Sequence, residues 1–304
     1  MSDTFDVVIV GGGAAGLSAA LVLGRCRRSV LLCDSGQPRN RASSEIHCLL
    51  GREGMAPTDL LRIGHLEIKG YNTVTILAER VTAITPSKNH FAISCEGEFT
   101  STARKVLLST GLADEVPRLE GIEKLYGRSV HHCPYCDGFE HRDQPLAVYG
   151  VGDKGAGLAL MMKQWSTDVV LLTDGPSQIS PEIEARLQRH RIPVYSEQIA
   201  GLEGTDDGAL QFIRLRAGKT LKRNALFFTT GCRQASELSA SLGCVRDEKG
   251  GIVADPVTEE SSVPGVYVAG DASRDVLLVA VAIGEGAKAG VAINRALLQE
   301  DGLG

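Results

Sequence analysis

Residues 6–16 read DVVIVGGGAAG. The run from Asp6 to Val10 is apolar and β-branched, the pattern of a strand buried on both faces of a parallel sheet. Gly11, Gly13 and Gly16 then give a G-x-G-x-x-G turn. The first glycine permits the tight turn, the second lets the backbone approach a pyrophosphate, and the third lets the following helix pack on the strand. Ala14 and Ala15 lie between them, and the small and apolar residues Leu17–Leu23 suit a buried helix whose free N–H groups and dipole favour phosphate. A second strand, Ser29–Cys33, ends at Asp34, 18 residues beyond Gly16, where a carboxylate can take the two hydroxyls of an adenosine ribose. Strand, turn, helix, strand and acid together specify a dinucleotide-binding unit.

The unit recurs. Leu146–Tyr149 is a strand, Gly150, Gly152, Asp153, Lys154 and Gly155 lie in the turn, Leu158–Trp165 is helical in character, and Val169–Leu172 is a strand leading to Asp174. Gly11 to Asp34 spans 23 positions and Gly150 to Asp174 spans 24. A site for NADPH usually carries arginines after the second strand to hold the 2′-phosphate, whereas an acid repels that phosphate and accepts from a free hydroxyl. Here Asp174 is followed by Gly175 and Pro176, and the first basic residue beyond is Arg186. NADPH is therefore disfavoured; NADH, a second FAD or an empty site remain as alternatives.

Near the C-terminus, VPGVYVAGD (263–271) is a strand ending at Gly270 and Asp271, and an acid so placed can hydrogen-bond a ribityl or ribose hydroxyl. The alanine-rich stretch Gly284–Leu298 reads as a helix whose start faces a flavin. Composition agrees with an ordinary globular chain. The 304 residues are 43% hydrophobic and 23% charged, enough for two domains. A net charge of -5 gives no support to nucleic-acid binding. The N-terminus lacks a basic region and a cleavage pattern, and the apolar run Val276–Ile283 is too short for a membrane span, so a cytoplasmic protein with no integral span is expected.

Between the two units lies HHCPYCDG (131–138), with two of the eight cysteines. Three chemistries compete. A structural zinc needs four ligands and normally a second pair, which the sequence does not offer, so no metal is expected. Two inert buried thiols are the bland alternative. In the third, Cys133 and Cys136 form a redox disulfide, Pro134 limits the backbone between them, and Asp137 moves the proton that exchange requires. Adjacent residues of a strand face opposite sides, so at most one of His131 and His132 serves the cysteines, and His132 is the candidate. The six other cysteines read as buried or incidental thiols.

The segment GRSVHHCPYCDGF (127–139), the turn at Gly150–Gly152, the motif at Gly11–Gly16 and the run ending at Asp271 together resemble the low-molecular-weight thioredoxin reductase family, over essentially the whole chain. The resemblance implies an α/β fold with two Rossmann-like (three-layer ββα) dinucleotide-binding domains, the second inserted into the first. It implies an FAD domain of residues 1–114 and 235–304, an inserted domain of residues 115–234, and a homodimer in which the inserted domain rotates. It further implies that Cys136 faces the flavin, Cys133 exchanges with substrate and Asp137 is the proton-transfer acid. The partner would be a thioredoxin-like protein or a small dithiol or disulfide.

The sequence departs from the family twice. The His-Arg-Arg after the second strand is replaced by Thr173, Asp174 and Gly175. The Arg-Gln pair after the family's Gly-Asp appears as Leu278 and Val279, so Val279 and Ala280 are the expected flavin neighbours there. These losses are similar to those of diflavin-linked disulfide oxidoreductases and of dithiol oxidases. The expected function is an FAD-dependent dithiol/disulfide oxidoreductase that does not depend on NADPH. The alternatives are an NAD(P)H-dependent thioredoxin reductase and a dithiol oxidase using oxygen; a redox-inert flavin-binding protein is the competing class.

Overall fold

The computed structural model describes residues 3–273 and 276–304, and within it the chain divides into two compact units. The first comprises residues 1–41, 48–113 and 232–304, and the second residues 42–47 and 114–231. The domain limits expected from sequence put residues 42–47 with the flavin domain; by its contacts this segment goes with the second unit.

In the first unit the chain runs β1 (Asp3–Val10), α1 (Ala14–Arg25), β2 (Val30–Cys33), α2 (Pro57–Ile68), β3 (Val74–Leu77), β4 (Val81–Pro86), β5 (Phe91–Cys95), β6 (Thr100–Leu108) and β7 (Leu112–Asp114). Parallel strands β3, β2, β1 and β6 form one sheet, and the antiparallel hairpin β4–β5 joins through the first half of β6. Alternation along β1 serves both faces. Val7 and Ile9 pack with α1, whereas Val8 and Val10 pack with residues of the β4–β5 hairpin.

The second unit contains α3 (Ile122–Leu125), β8 (Val130–His131), α4 (Pro134–Asp137), β9 (Leu146–Tyr149), α5 (Gly152–Met162), β10 (Val169–Leu172), α6 (Pro181–Arg189), β11 (Val194–Tyr195), β12 (Ile199–Gly204), β13 (Leu210–Leu215), β14 (Thr220–Lys222) and β15 (Ala225–Phe228). Its parallel sheet has the order β11-β10-β9-β15-β8, and β12-β13-β14 form an antiparallel sheet. Leu146 and Val148 pack toward α5, while Ala147 packs with Leu202 and Ile213 of the antiparallel sheet. The unit is thus layered helix, parallel sheet, antiparallel sheet.

The chain re-enters the first unit through β16 (Cys232–Gln234), which pairs with β7, then α7 (Leu238–Ser241), β17 (Val266–Val268) and α8 (Val279–Glu300). β17 pairs with the second half of β6, so the parallel order is β3-β2-β1-β6-β17. The helix expected from Gly284 begins at Val279. The β-branched run before Gly284 is a weak helix former in isolation, but Ala282, Gly286 and Ala289 are buried, and packing overrides propensity. Among the described residues no helix is long and apolar enough to cross a membrane.

Candidate functional site

Register brings the first site together. Val10 pairs with Cys33 and with Leu108, and Leu108 pairs with Val268. The residues that follow these strands, Gly11, Asp34, Ser109 and Gly270, therefore gather at the carboxyl edge of the sheet, where the strand order reverses and such folds bind ligands. Gly16 can only be glycine, because a Cβ there would lie 1.9 Å from the Gly11 carbonyl oxygen. The Ser109 hydroxyl donates to that same carbonyl at 2.8 Å. At Gly13, the residue before α1, a Cβ would meet nothing within 4 Å, so open space adjoins the helix N-terminus. The Asp34 carboxyl lies over the turn, 2.6 Å from where a Cβ on Gly12 would stand.

Gly270 donates its N–H to Glu285 Oε2 at 2.7 Å, which ties β17 to α8. Asp271 begins a short 3-10 turn and accepts from Arg39 Nη1 at 2.8 Å. Arg39 is a residue that sequence reasoning missed, since no spacing links it to a strand end 232 positions away. Ala14 and Ala15 form the first turn of α1, and Gly286 of α8 packs so close that a Cβ would lie 2.1 Å from the Ala15 carbonyl. Val279 and Ala280 form the first turn of α8, Val279 half-buried and Ala280 exposed. An open helix N-terminus, an acid over the turn and an acid at a third strand end fit the pyrophosphate, ribose and ribityl groups of FAD. FAD supplies a two-electron carrier when bound there.

The second turn repeats the backbone plan with one change. Gly155 again packs against the first glycine, a Cβ there lying 2.4 Å from the Gly150 carbonyl carbon. Gly152, however, adopts a left-handed φ of 64°, and its N–H donates to the Ser177 carbonyl at 2.8 Å. Asp153 Oδ1 accepts from the Ser180 N–H at 2.8 Å, so the segment after Asp174 closes back onto the turn, with Lys154 exposed beside it. Asp174 does not repeat the placement of Asp34. Its Oδ1 accepts from the Ile199 N–H at 2.6 Å, and its carboxylate lies beside the Tyr149 phenol. Burial pushes the Tyr149 phenol up, and the Asp174 charge adds to that shift.

Cys133 and Cys136 are joined by a disulfide, with Cα atoms 5.3 Å apart. The local sequence explains the hairpin-like approach. Cys133 caps the four-residue helix α4, Pro134 takes its first position, and the Cys136 N–H donates to Cys133 Sγ at 3.2 Å. That N–H favours negative charge on the Cys133 sulfur once the pair is reduced. Asp137 closes the helix, its N–H donating to the Cys133 carbonyl at 3.2 Å. The exposed rings of Tyr135 and Phe139 flank the pair, Tyr135 edge-on to Trp165 and Phe139 beneath the Arg142 guanidinium.

His131, not His132, is brought to Asp137. His131 is 4% exposed on β8, and its Nδ1 lies 3.2 Å from Asp137 Oδ1. Its Nε2 meets His141 Nε2 at 3.0 Å, and its ring packs on Phe227, the residue paired with it on β15. His132 points elsewhere, with Nδ1 3.8 Å from Asp114 Oδ2. His141 was missed in the sequence, although it stands four positions beyond Asp137.

Burial, reinforced by His131, lowers the His141 imidazole to about 4. A histidine held neutral in the fold binds fewer protons than in the unfolded chain, so stability contributed here is present above about pH 6.5 and is lost as pH falls toward 4. After a discount for partial exposure the loss is no more than about 2 kcal/mol. Urea denaturation at pH 7 and at about pH 5 should show a smaller acid loss in His141→Phe than in the parent chain.

Of the other cysteines, Cys33, Cys95 and Cys244 are buried, and burial pushes all three thiols up, away from thiolate chemistry. No group of three or more His, Cys, Asp or Glu among the described residues is placed to hold a metal ion.

Paired dinucleotide folds with a disulfide in the second define a flavin-linked disulfide oxidoreductase class. The family model for pyridine nucleotide-disulphide oxidoreductase matches residues 5–286. Thioredoxin reductase tcpT of Claviceps purpurea is 29% identical over 312 residues, covering 98% of this chain and 96% of the relative. The crystal structure of HlmI superposes with a TM-score of 0.93 at 35% identity, covering 98% of this chain and 94% of the other. A putative thioredoxin reductase TrxB from Bacillus anthracis gives a TM-score of 0.91 at 32% identity, covering 98% of this chain and 99% of that one. The chain belongs to the pyridine nucleotide-disulphide oxidoreductase family. Within it, the chain is a thioredoxin reductase-like, FAD-dependent disulfide oxidoreductase.

Proposed function

We propose that the chain passes electrons between a dithiol substrate and FAD through Cys133 and Cys136, without a nicotinamide nucleotide. The observation that carries this is the closed second turn, in which the Gly152 N–H that a pyrophosphate would need is bonded to the Ser177 carbonyl. Asp174, committed to Ile199 and Tyr149, adds support. The same closure argues against both NADH and a second FAD at that turn.

The exchange balances with the groups present. A substrate thiolate attacks Cys133 Sγ, the Cys133–Cys136 bond breaks, and the electron pair leaves on Cys136. The second substrate thiolate then displaces Cys133, giving the substrate disulfide and the enzyme dithiol. Asp137, next to Cys136, moves the proton. With FAD held at the Gly11–Gly16 turn, Asp34 and Asp271, the Cys133–Cys136 bond would re-form as the dithiol gives up two electrons and two protons; FAD would supply the two-electron acceptor, with oxygen, reduced to hydrogen peroxide, as the terminal oxidant.

The test is anaerobic mixing with NADPH, NADH and dithiothreitol separately, followed by flavin absorbance. Only dithiothreitol is expected to bleach the flavin, and extraction should return about one FAD per chain, the count set by a single open turn. Rapid reduction by NADPH would refute the proposal. It would select the second reading, an NAD(P)H-dependent thioredoxin reductase with a thioredoxin-like partner, which the names of the relatives favour. A homodimer and a cytoplasmic setting complete the proposal by resemblance, and sedimentation of the holoenzyme checks the first.

A further inference from the structure

We propose that His131 and His141 are positioning residues that hold one mobile proton between His131 and Asp137, beside Cys136. The proposal rests on the reading of Cys133 and Cys136 as the redox pair.

His141 anchors the chain of bonds. Its Nε2 faces His131 Nε2 at 3.0 Å, and the ring lies against the Arg128 backbone, a contact that favours a proton on the imidazole. With Nε2 given to His131, Nδ1 is the nitrogen left to carry the proton toward the Arg128 carbonyl. In the neutral ring only one nitrogen carries a proton, so His141 Nε2 is an acceptor. Its burial keeps the ring in that neutral form.

The consequence passes to His131. To bond His141, His131 must donate through Nε2. A neutral His131 then has a bare Nδ1 facing Asp137 Oδ1 at 3.2 Å, and two acceptors cannot bond. The contact is satisfied in two ways: Asp137 is protonated and donates to neutral His131, or Asp137 is ionised and accepts from a cationic His131. Either way the pair carries one proton, which no arrangement of the two groups can surrender without breaking a bond. His131 is buried, so water does not readily replace the lost partner.

Several groups around the pair are uncharged or directed elsewhere. β15 presents the uncharged Phe227 ring. From α4 come Cys133 and Cys136, bonded to one another, and Asp137 itself. His132 is directed to Asp114, and from β8 and its flank Arg128 offers its carbonyl to His141. The guanidinium of Arg128 bonds the Asp207 carbonyl instead.

When the Cys133–Cys136 bond breaks and the electron pair leaves on Cys136, the stored proton can move from Asp137 to that sulfur. The proton lost by the attacking substrate thiol goes to solvent and balances the step. Reversal of the exchange returns the proton to Asp137. His131 neither touches substrate nor sulfur in this scheme; it keeps Asp137 supplied.

The experiment is the rate of flavin bleaching after anaerobic mixing of the holoenzyme with dithiothreitol, followed from about pH 5 to about pH 9. His131→Gln should slow the step by about tenfold or more and remove one ionisation from the profile. Combined with Asp137→Asn, His131→Gln should add nothing further, because both act through one proton. An unchanged profile in His131→Gln, or additive effects of the two substitutions, would overturn the proposal. Spectra of the unaltered holoenzyme labelled with nitrogen-15 histidine supply a reading that needs no variant. His141 is expected as the Nδ1–H tautomer, and an Nε2–H tautomer would also overturn it. If dithiothreitol fails to bleach the flavin in the unaltered protein, it is the redox assignment of the cysteines that fails.

Discussion

In a Cys136→Ser variant, dithiothreitol is expected to leave the flavin oxidised, with the bleaching rate down by on the order of a thousandfold or more, about 4 kcal/mol in barrier height. The reason is covalent. Exchange needs an S–S bond for the substrate thiolate to attack, and the bond Cys133 makes is to Cys136. The six remaining cysteines include none bonded to it, and three are buried thiols held away from the thiolate form. Serine is close in size, so flavin content and melting temperature should hold near those of the parent. Flavin bleaching at an ordinary rate in this variant would remove the disulfide from the electron path altogether.

The second large effect is expected at the first glycine turn. Gly16→Val places a Cβ 1.9 Å from a backbone carbonyl that Ser109 also bonds, and no rotamer relieves a clash at Cβ. Either α1 moves off β1 or the turn opens. Both separate the Gly13 amide from Asp34, so the chain should purify with little FAD and be destabilised by roughly 3 kcal/mol or more. FAD absorbance per chain and a urea titration check this. Gly155→Val makes the same clash in the second unit, where the Cβ would lie 2.4 Å from the Gly150 carbonyl carbon. It should lower stability while leaving the flavin site of the first unit filled.

Those glycines were legible because a turn between a buried strand and a helix leaves few choices, and the residue spacing writes them out. The placement of Asp34, Gly270 and Asp271 at one sheet edge follows from the same strand pattern. Asp174 was a different matter. Its spacing from Gly150 matches that of Asp34 from Gly11, yet its φ of 52° and the path of residues 175–180 send its carboxylate to Ile199 and Tyr149. No residue count carries that information, because it depends on what a loop does after the strand has ended. The histidines show a similar limit. Strand alternation says correctly that His131 and His132 part company, but which of them meets Asp137 depends on the pairing of His131 with Phe227. The start of α8 was hidden because β-branched residues in its first turn read as strand or loop until Ala282 and Gly286 are seen to be buried.

Residues 42–47 carry a consequence for how the second unit can be handled. A Cβ on Gly127 would lie 2.4 Å from the Ala42 carbonyl, and His47 Nε2 is 3.6 Å from Glu140 Oε1. The polypeptide accordingly passes between the two units four times, at residues 41–42, 47–48, 113–114 and 231–232. A gene fragment cut at residues 114 and 231 would encode an incomplete body, missing a strand of chain that Gly127 was shaped to receive. The second unit is therefore not a cassette that can be lifted from one host and set in another. Any graft of it must bring along a hexapeptide whose codons lie inside the host's own coding sequence.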